Sequence, residues 1–520
     1  MAVEPIELSL SGLAEPRQAI HPLPLARRTV TGFIGRTERG PINEPVLLRS
    51  FEHYRQILGG HTTFSFVSYA VQHYFLHGGE AAVVVRAVNR ATRGTIDVPA
   101  GHEVLKFQAR HPGSHEFLRL SVDYDRLATH SKRFNLVVQR VRNLQTQQVE
   151  DQELYSSLSM APDDRRYIVD ALKESALVRL VAPIPGVRPD ASRPNRPGDL
   201  VPYIKSATPG SDGDELTDYD IIGSNREGTG LFALQRLEQL DLLCIPPAPS
   251  RDLGTTTFVA AERFCRNHRC MLIWDPPWSW DSPAAALRGV RSSHFASQNA
   301  LTYFPRIRQR GDLVRFSAGL PACGAIAGLL SRNDNSGVWR GLSGDGNLLN
   351  TPFTAVMDLA PHDMARLKRF GVNSLARSEA GGLAVHGNVT LAGLSVVSNL
   401  WQKLDRRRLL FFIVNSISGA TRFVHRSLDE GDTVRRLEAQ VTAFLMGLFK
   451  QGALKGQAAS QAFMLRLFTE ADGESGRVLV LRVGVALLQA EDFFSYDFVY
   501  RADGCSIRHA PALGAEQLVS

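Results

Sequence analysis

The chain has 520 residues, 44% hydrophobic and 21% charged, with 59 Lys+Arg against 52 Asp+Glu for a formal net charge of +7. That length exceeds what one core supports, so several domains are expected, and the composition excludes a disordered or fibrous chain. The small positive excess lacks the dense basic stripes of a nucleic-acid binder, yet it suits an acidic protein partner.

Cys244, Cys265, Cys270, Cys323 and Cys505 make an odd number with one close pair, which points to a reducing compartment. Residues 1–12 carry neither a basic nor an apolar signal segment, and the longest apolar run, 409–414, is too short to cross a membrane. Cytosolic folding without membrane insertion is expected.

In chain order, Ile6, Leu8 and Leu10 alternate with Glu7 and Ser9, a strand pattern close to the terminus. Nearly continuous apolar runs follow at 29–35, 81–88, 241–246 and 270–277, each stopped by Gly, Pro or a charge. Strands buried on both faces of a parallel sheet read this way. Helical patterns lie between them. Residues 51–58 are framed by Ser50 and Gly59; 64–77 carry Phe64, Val67, Val71, Tyr74 and Phe75 on one face; Ser282-Pro283 opens 283–290. Residues 29–95 and 206–350 therefore read as one interrupted α/β domain.

The interruption, 96–205, alternates apolar and polar residues as half-exposed antiparallel strands do, with a helix predicted over 162–176 and a Pro/Arg-rich exit at 183–199. It reads as an inserted, mostly-β domain. Residues 351–490 read as a C-terminal α+β domain. Its amphipathic helix, 435–452, spaces Leu437, Val441, Phe444, Leu445 and Leu448 by three and four, and a buried strand follows at 477–488. Residues 1–28 and 491–520 remain as terminal arms. In the second arm Phe494, Tyr496, Phe498 and Tyr500 alternate with less apolar neighbours. Two terminal strands with a clean two-residue period need a partner edge, so both are candidates for pairing between chains.

Signals for chemistry are weak. The Gly35–Gly40 corner after the first strand lacks the Lys-Ser/Thr of a phosphate loop. Gly228-x-Gly230-x-x-Ala233 has dinucleotide spacing but only a weak preceding strand, which leaves a nucleotide-binding α/β enzyme as the alternative function. Cys265, His268 and Cys270 match no zinc spacing, and His102, His111 and His115 read as a solvated face. With no nucleophile-elbow or metalloprotease motif, no catalytic residue, cofactor or metal is expected. Two basic runs, Arg366/Lys368/Arg369 and Lys403/Arg406/Arg407/Arg408, are candidates for contact with an acidic partner.

Taken in order, several segments are similar to the contractile tail sheath family of phages and phage-like injection machines. They are GFIGRTERGPINEPVLLRSFEHYRQILGG, HGGEAAVVVRAV, LLCIPP, LIWDPPWSWDSPAAALRG, SGVWRG, FGVNSL, RRRLLFFIVNSISGATRFV and VRRLEAQVTAFLMGLFKQGALKG. The likeness covers most of 29–500 and is weakest over 96–205. It implies a structural subunit, not an enzyme. Such subunits stack as six-membered rings around an inner tail tube and contract from a metastable extended state, driving the tube through a target envelope. The implied partners are other copies, the tube, the baseplate and a tail terminator, with no direct nucleic acid. The implied place is the tail of a virion or phage-like particle, assembled in the host cytoplasm. The C-terminal domain would face the tube and the inserted domain would face outward. Both chain ends depart from the family pattern.

Overall fold

The computed structural model describes residues 23–510 apart from 26–27, 129–130, 144–147, 194–201, 206–207, 293–295, 310–315, 343–345, 351–352, 380, 394–400, 423, 425–430, 473–475 and 502. The first half of the α/β unit contains β1 (Val30–Gly35), β2 (Val46–Leu48), α1 (Phe51–Leu58), α2 (Val67–Leu76) and β3 (Ala81–Arg86). An insertion follows with β4 (Thr95–Ala100), β5 (Glu103–Ala109), β6 (Leu118–Asp123), β7 (Phe134–Val141), β8 (Val149–Leu158), α3 (Ile168–Ala171), β9 (Val178–Val181) and β10 (Ile204–Lys205).

The chain then returns through α4 (Asp218–Ile222), a 3-10 turn Gly230–Arg236, β11 (Leu242–Cys244), α5 (Thr255–His268), β12 (Met271–Ile273), α6 (Pro283–Ser292), β13 (Ala300–Phe304) and β14 (Ile307–Gln309). Next come α7 (Cys323–Asp334), β15 (Leu348–Leu349), β16 (Phe353–Ala355), α8 (Pro361–Arg369), β17 (Val372–Arg377) and β18 (Leu383–His386). The last unit holds α9 (Leu404–Ala420), α10 (Gly431–Lys450), α11 (Ala459–Ala462), β19 (Phe463–Asp472), β20 (Gly476–Ala486), β21 (Phe493–Arg501) and β22 (Gly504–His509).

The central sheet has nine strands in the order β15-β18-β17-β13-β12-β11-β1-β3-β2. Its inner members from β3 to β17 are mutually parallel, and the strands at both margins are antiparallel. Parallel strands need helical crossovers on both faces, which is why the apolar runs are continuous. Phe33 faces one core with Tyr74, Ala325 and Leu329, while Ile34 faces another with Leu243, Phe258 and Phe264. Ser50 caps α1 by accepting from the His53 N–H at 3.1 Å.

Helix α7 lies almost on the backbone of α2. A Cβ at Gly324 would sit 2.0 Å from the Ala70 carbonyl oxygen, and one at Gly328 would sit 2.4 Å from that of Tyr74. Four residues apart, the two glycines share one helix face, and their missing side chains permit this approach. Asp275 receives the Ala322 and Cys323 N–H groups at 2.8 and 3.0 Å at the start of α7.

The sheet runs past residue 350, where the sequence reading ended it. β17 and β18 belong to it, so the α/β unit extends to 386. Short strands between polar turns, such as 372–377, carry too little pattern to be assigned to a sheet whose other strands lie 70 residues earlier. The helix expected over 162–176 shrinks to four residues, α3. Residues 161–167 form two consecutive turns, Asp164 N–H to the Ala161 carbonyl and Tyr167 N–H to that of Asp164, and Tyr167 bridges to Ser159, so helix begins only at Ile168.

The insertion has two sheets, β4-β5-β9 and β10-β6-β7-β8, around a core of Phe107, Leu120, Phe134, Leu136 and Val178. It meets the α/β unit through a buried arginine. Arg86, at the end of β3, donates from Nη1 to the carbonyls of Gly40 and Pro112 at 2.7 and 2.8 Å. Arg39 adds an ion pair with Glu150 at 2.7 Å. In the last unit α9 and α10 cover one face of the sheet β19-β20-β21-β22, with Leu409, Leu437, Phe444, Leu481, Phe498 and Tyr500 in one core.

Three histidines make the fold acid-sensitive. Burial pushes His73 down to about 3 and His77 to about 4, and burial beside Arg86 pushes His111 to about 4, from an ordinary 6.5. Below that ordinary value the unfolded chain takes up protons that the folded chain refuses. The stability these groups supply is complete above pH 6.5 and is lost as pH falls toward 4. Asp275, raised by burial to about 6, His115, raised by its hydrogen bond to Asp212, and Glu116 and Asp252, both raised by burial, have the opposite sign. Three large downward shifts outweigh them. The thermal midpoint is expected to fall steadily from pH 7 to pH 5, and His77→Asn to reduce that slope. A midpoint flat over this range would refute the assignment.

Candidate assembly interface

The alternation at 494–500 does produce a strand. Phe498 and Tyr500 are fully buried toward α9 and α10, and Phe494 and Tyr496 are partly buried on the same face. The Tyr500 hydroxyl reaches Thr421 Oγ1 at 2.8 Å. Yet β21 lies between β20 and β22 of its own chain and has no edge left to donate. Its two-residue period reported a central strand, which reads like a donated one until the flanking strands are placed. Removing 492–520 would take Phe498 and Tyr500 out of the core and is expected to unfold the C-terminal unit. Among the described residues nothing pairs with the outer edges of β19 and β22. Exposed edges of this kind accept an incoming strand. Ile6, Leu8 and Leu10 lie outside the described residues.

A charged ladder ties these four strands together on the opposite face. Arg482 grips Asp497 at 2.6 and 2.9 Å, and Arg508 reaches Asp497 at 3.2 Å and Glu470 at 2.7 Å. Burial acts to raise Asp497, but the hydrogen bonds from Arg482 and then Arg508 prevail and hold it below the usual carboxylate range. One acid on β21 and one on β19 are thus bridged by bases on β20 and β22, which seats the short edge strand.

The two basic runs have opposite fates. Arg407 and Arg408 are buried. Arg408 places two nitrogens on Asp334 at 2.9 and 2.6 Å. Arg407 donates to Asn299 Oδ1 at 3.0 and 2.8 Å and lies over the Trp401 and Phe411 rings. Arg406 is half-buried beside Asp405, and Lys403 is exposed. Consecutive residues on a helix point about 100° apart, so three arginines in a row cannot share one solvent face. The inward-facing pair cannot meet an external partner, which corrects the expectation for Arg407 and Arg408.

Arg366, Lys368 and Arg369 are exposed in the last turn of α8. Arg288 and Arg291, also exposed, join them from neighbouring α6, with Arg291 5.9 Å from the Phe370 ring. Among the described residues none of these five has an ion-pair partner. Cations at helix C-termini are favoured by the helix dipole in any case. Their clustering on two adjacent helix ends is what the sequence concealed, because 75 residues separate Arg291 from Arg366.

The nucleotide alternative loses its chemistry. The strand order reverses between β1 and β11, and a cavity of about 290 Å³ opens there, lined by Arg36, Phe64, Asp218, Pro246, Pro247 and Asp252. Its carboxylates oppose a phosphate. The Gly230 N–H that would face one donates instead to Asn43 Oδ1 at 2.9 Å. A Cβ on Gly230 would lie 2.6 Å from the Ile221 carbonyl oxygen, so this glycine serves a crowded backbone crossing. His102 is exposed as expected, and His115 is 40% exposed while facing Asp212 at 3.7 Å; only His111 turns inward, beside Arg86 at the junction with the insertion. Among the described residues no group of three His, Cys, Asp or Glu forms a metal site, and no helix is long and apolar enough to cross a membrane.

Neither a family profile nor a curated relative matches the sequence. Solved structures do match the fold. A sheath tail protein of Listeria innocua is 12% identical, with a TM-score of 0.61 over 92% of this chain and 97% of its own. One of Desulfitobacterium hafniense is 11% identical, with a TM-score of 0.53 over 98% and 100%. The contracted sheath of an extracellular contractile injection system is 13% identical, with a TM-score of 0.51 over 93% and 95%. The chain has the fold of these tail and injection-system sheath proteins.

Charge reversal separates the two basic runs. Breaking a buried ion pair on one side costs about 3–5 kcal/mol, so Arg408→Glu is expected to leave little folded protein. Arg366→Glu and Lys368→Glu should shift the thermal midpoint by no more than a few degrees. Equal midpoints for Arg408→Glu and Arg366→Glu would contradict the burial of Arg408.

Proposed function

We propose that the chain is the repeating subunit of a contractile tail sheath. The observation that carries this reading is a fold shared over 92% and 98% of the chain with two sheath tail proteins. In this reading copies form rings of six, stacked helically around an inner tube, with a baseplate at one end and a terminator at the other. The particle is a phage tail or a phage-like injection machine assembled in a bacterial cytoplasm. The subunit performs no catalysis. It stores free energy in an extended packing and releases it by rearranging into a contracted one.

The physics of the subunit supports this. A helical stack requires heterologous contacts that do not close on themselves. Open edges at β19 and β22 offer such contacts to residues 6–10 of a neighbour, through backbone hydrogen bonds that persist while the bodies turn. The rigid body itself is held by buried polar pairs, so contraction moves whole subunits and needs no nucleotide. Contact with an acidic tube falls to the exposed cations Arg366, Lys368, Arg369 and Lys403. Such pairs are individually worth only about 0.2–1 kcal/mol, but they repeat at every subunit and break readily as the sheath widens.

Purified full-length protein is expected to form striated cylinders in negative-stain micrographs. Deletion of residues 1–12 should leave a folded monomer that forms none. A monodisperse full-length monomer with a raised thermal midpoint in NAD, FAD or ATP would overturn the reading in favour of the enzyme. Replacing Arg366, Lys368 and Arg369 by Glu is expected to weaken assembly on isolated tubes, most clearly at low salt where screening is least. Unchanged assembly at both salt concentrations would move the tube contact elsewhere.

A further inference from the structure

The residues just before β1 are held in a way the sequence pattern does not announce. Leu23 lies in the core of the C-terminal unit at 6% exposure, and Leu25 packs against the same core. Leu25 sits directly over Gly447 of α10, where a Cβ would come within 2.8 and 2.9 Å of its two methyl groups. Gly447 is inside a twenty-residue helix, where glycine is the least favourable residue after proline. A glycine there is explained by a neighbour that needs the space.

Downstream the same stretch is pinned again. The Thr29 hydroxyl donates to Asp334, whose two carboxylate oxygens also receive Arg408. Tyr74 donates to the Thr29 carbonyl at 3.3 Å, Gln239 to that of Arg28 at 2.7 Å, and the Val30 N–H reaches Asp241 at 2.9 Å. The strap therefore touches both units, with its outer end on α10 and its inner end on the Arg408–Asp334 junction.

We propose that Gly447 and its surround form a seat for Leu23 and Leu25, and that this seat sets where the N-terminal arm leaves the subunit. The chain before Leu23 then starts from the C-terminal unit and not from β1. Tension on that arm loads α10 first and the Arg408–Asp334 junction next. The seat stands on the subunit structure alone; its part in assembly rests on the sheath reading.

The test uses the full-length chain. In an ordinary helix interior Gly447→Ala stabilises. Here it is expected to leave the denaturation midpoint unchanged or lower it, and to raise it only in combination with Leu25→Ala, a coupling that reports direct contact. Alkylation of the thiol introduced by Leu23→Cys, which keeps Leu25 over Gly447, with Cys505→Ser removing the half-exposed native thiol, gives a second readout. Gly447→Ala should speed that labelling about tenfold, the response of a local opening shifted by one lost contact. If Gly447→Ala raises the midpoint equally with Leu25 or Ala at position 25, and labelling is unchanged, the seat is refuted. If labelling accelerates but sheaths assemble to wild-type length, the seat has no part in placing the arm. If wild-type protein forms no sheath, the sheath reading and the arm's role fall together, while labelling still decides the seat.

Discussion

One buried ion pair joins parts of this subunit that are far apart in sequence. Arg408 opens α9 of the C-terminal unit, Asp334 ends α7 of the α/β unit, and Thr29 stands just before β1. Two charges removed from water attract strongly only when their remaining hydrogen-bonding capacity is also met. The Thr29 hydroxyl meets part of it for Asp334. Arg407 on Asn299 and Arg269 on Asn415, at 2.7 Å, repeat the device beside it. Directional contacts of this kind fix an angle between two units, which an apolar interface alone would leave free to slide.

Steric constraints shape the α/β layer. Helix α7 approaches α2 closely because Gly324 and Gly328 remove the intervening side chains, and this brings Asp334 within reach of Thr29 and Arg408. At the far edge the Gly40 corner presents its carbonyl to Arg86, which also holds Pro112 of the insertion. The corner that resembles a phosphate cradle therefore cradles a guanidinium, with carbonyl oxygens in place of N–H groups. Inversion of donor and acceptor is why the resemblance to a nucleotide site goes no further than its glycines.

For a machine that works by rearrangement, these features divide the labour. Buried, hydrogen-bonded polar junctions keep each subunit one body. Open strand edges and exposed helix-end cations are the parts that a neighbour or a tube can engage and release. Interactions that are cheap to break in water belong at such surfaces, and interactions that are costly to break belong inside.

Local pattern determined much of what is present. Continuous apolar runs at 29–35 and 81–88 can only be doubly covered parallel strands, and the three-and-four spacing from Leu437 to Leu448 can only be an amphipathic helix. The break in character over 96–205 accompanies strands that pair in two small sheets of their own, because alternation and continuous burial are different periods. Tertiary structure decided the rest. A two-residue period at 494–500 is the same for a donated strand and a central one, and only the placement of β20 and β22 distinguishes them. A run of arginines at 406–408 reads as solvated until Asp334 and Asn299, 74 and 108 residues away, turn two of them inward. Gly447 is a weak point in a helix until Leu25 arrives to occupy it. Sequence records each residue's own preference, but burial, pairing and edge status belong to pairs of residues that only the folded chain brings together.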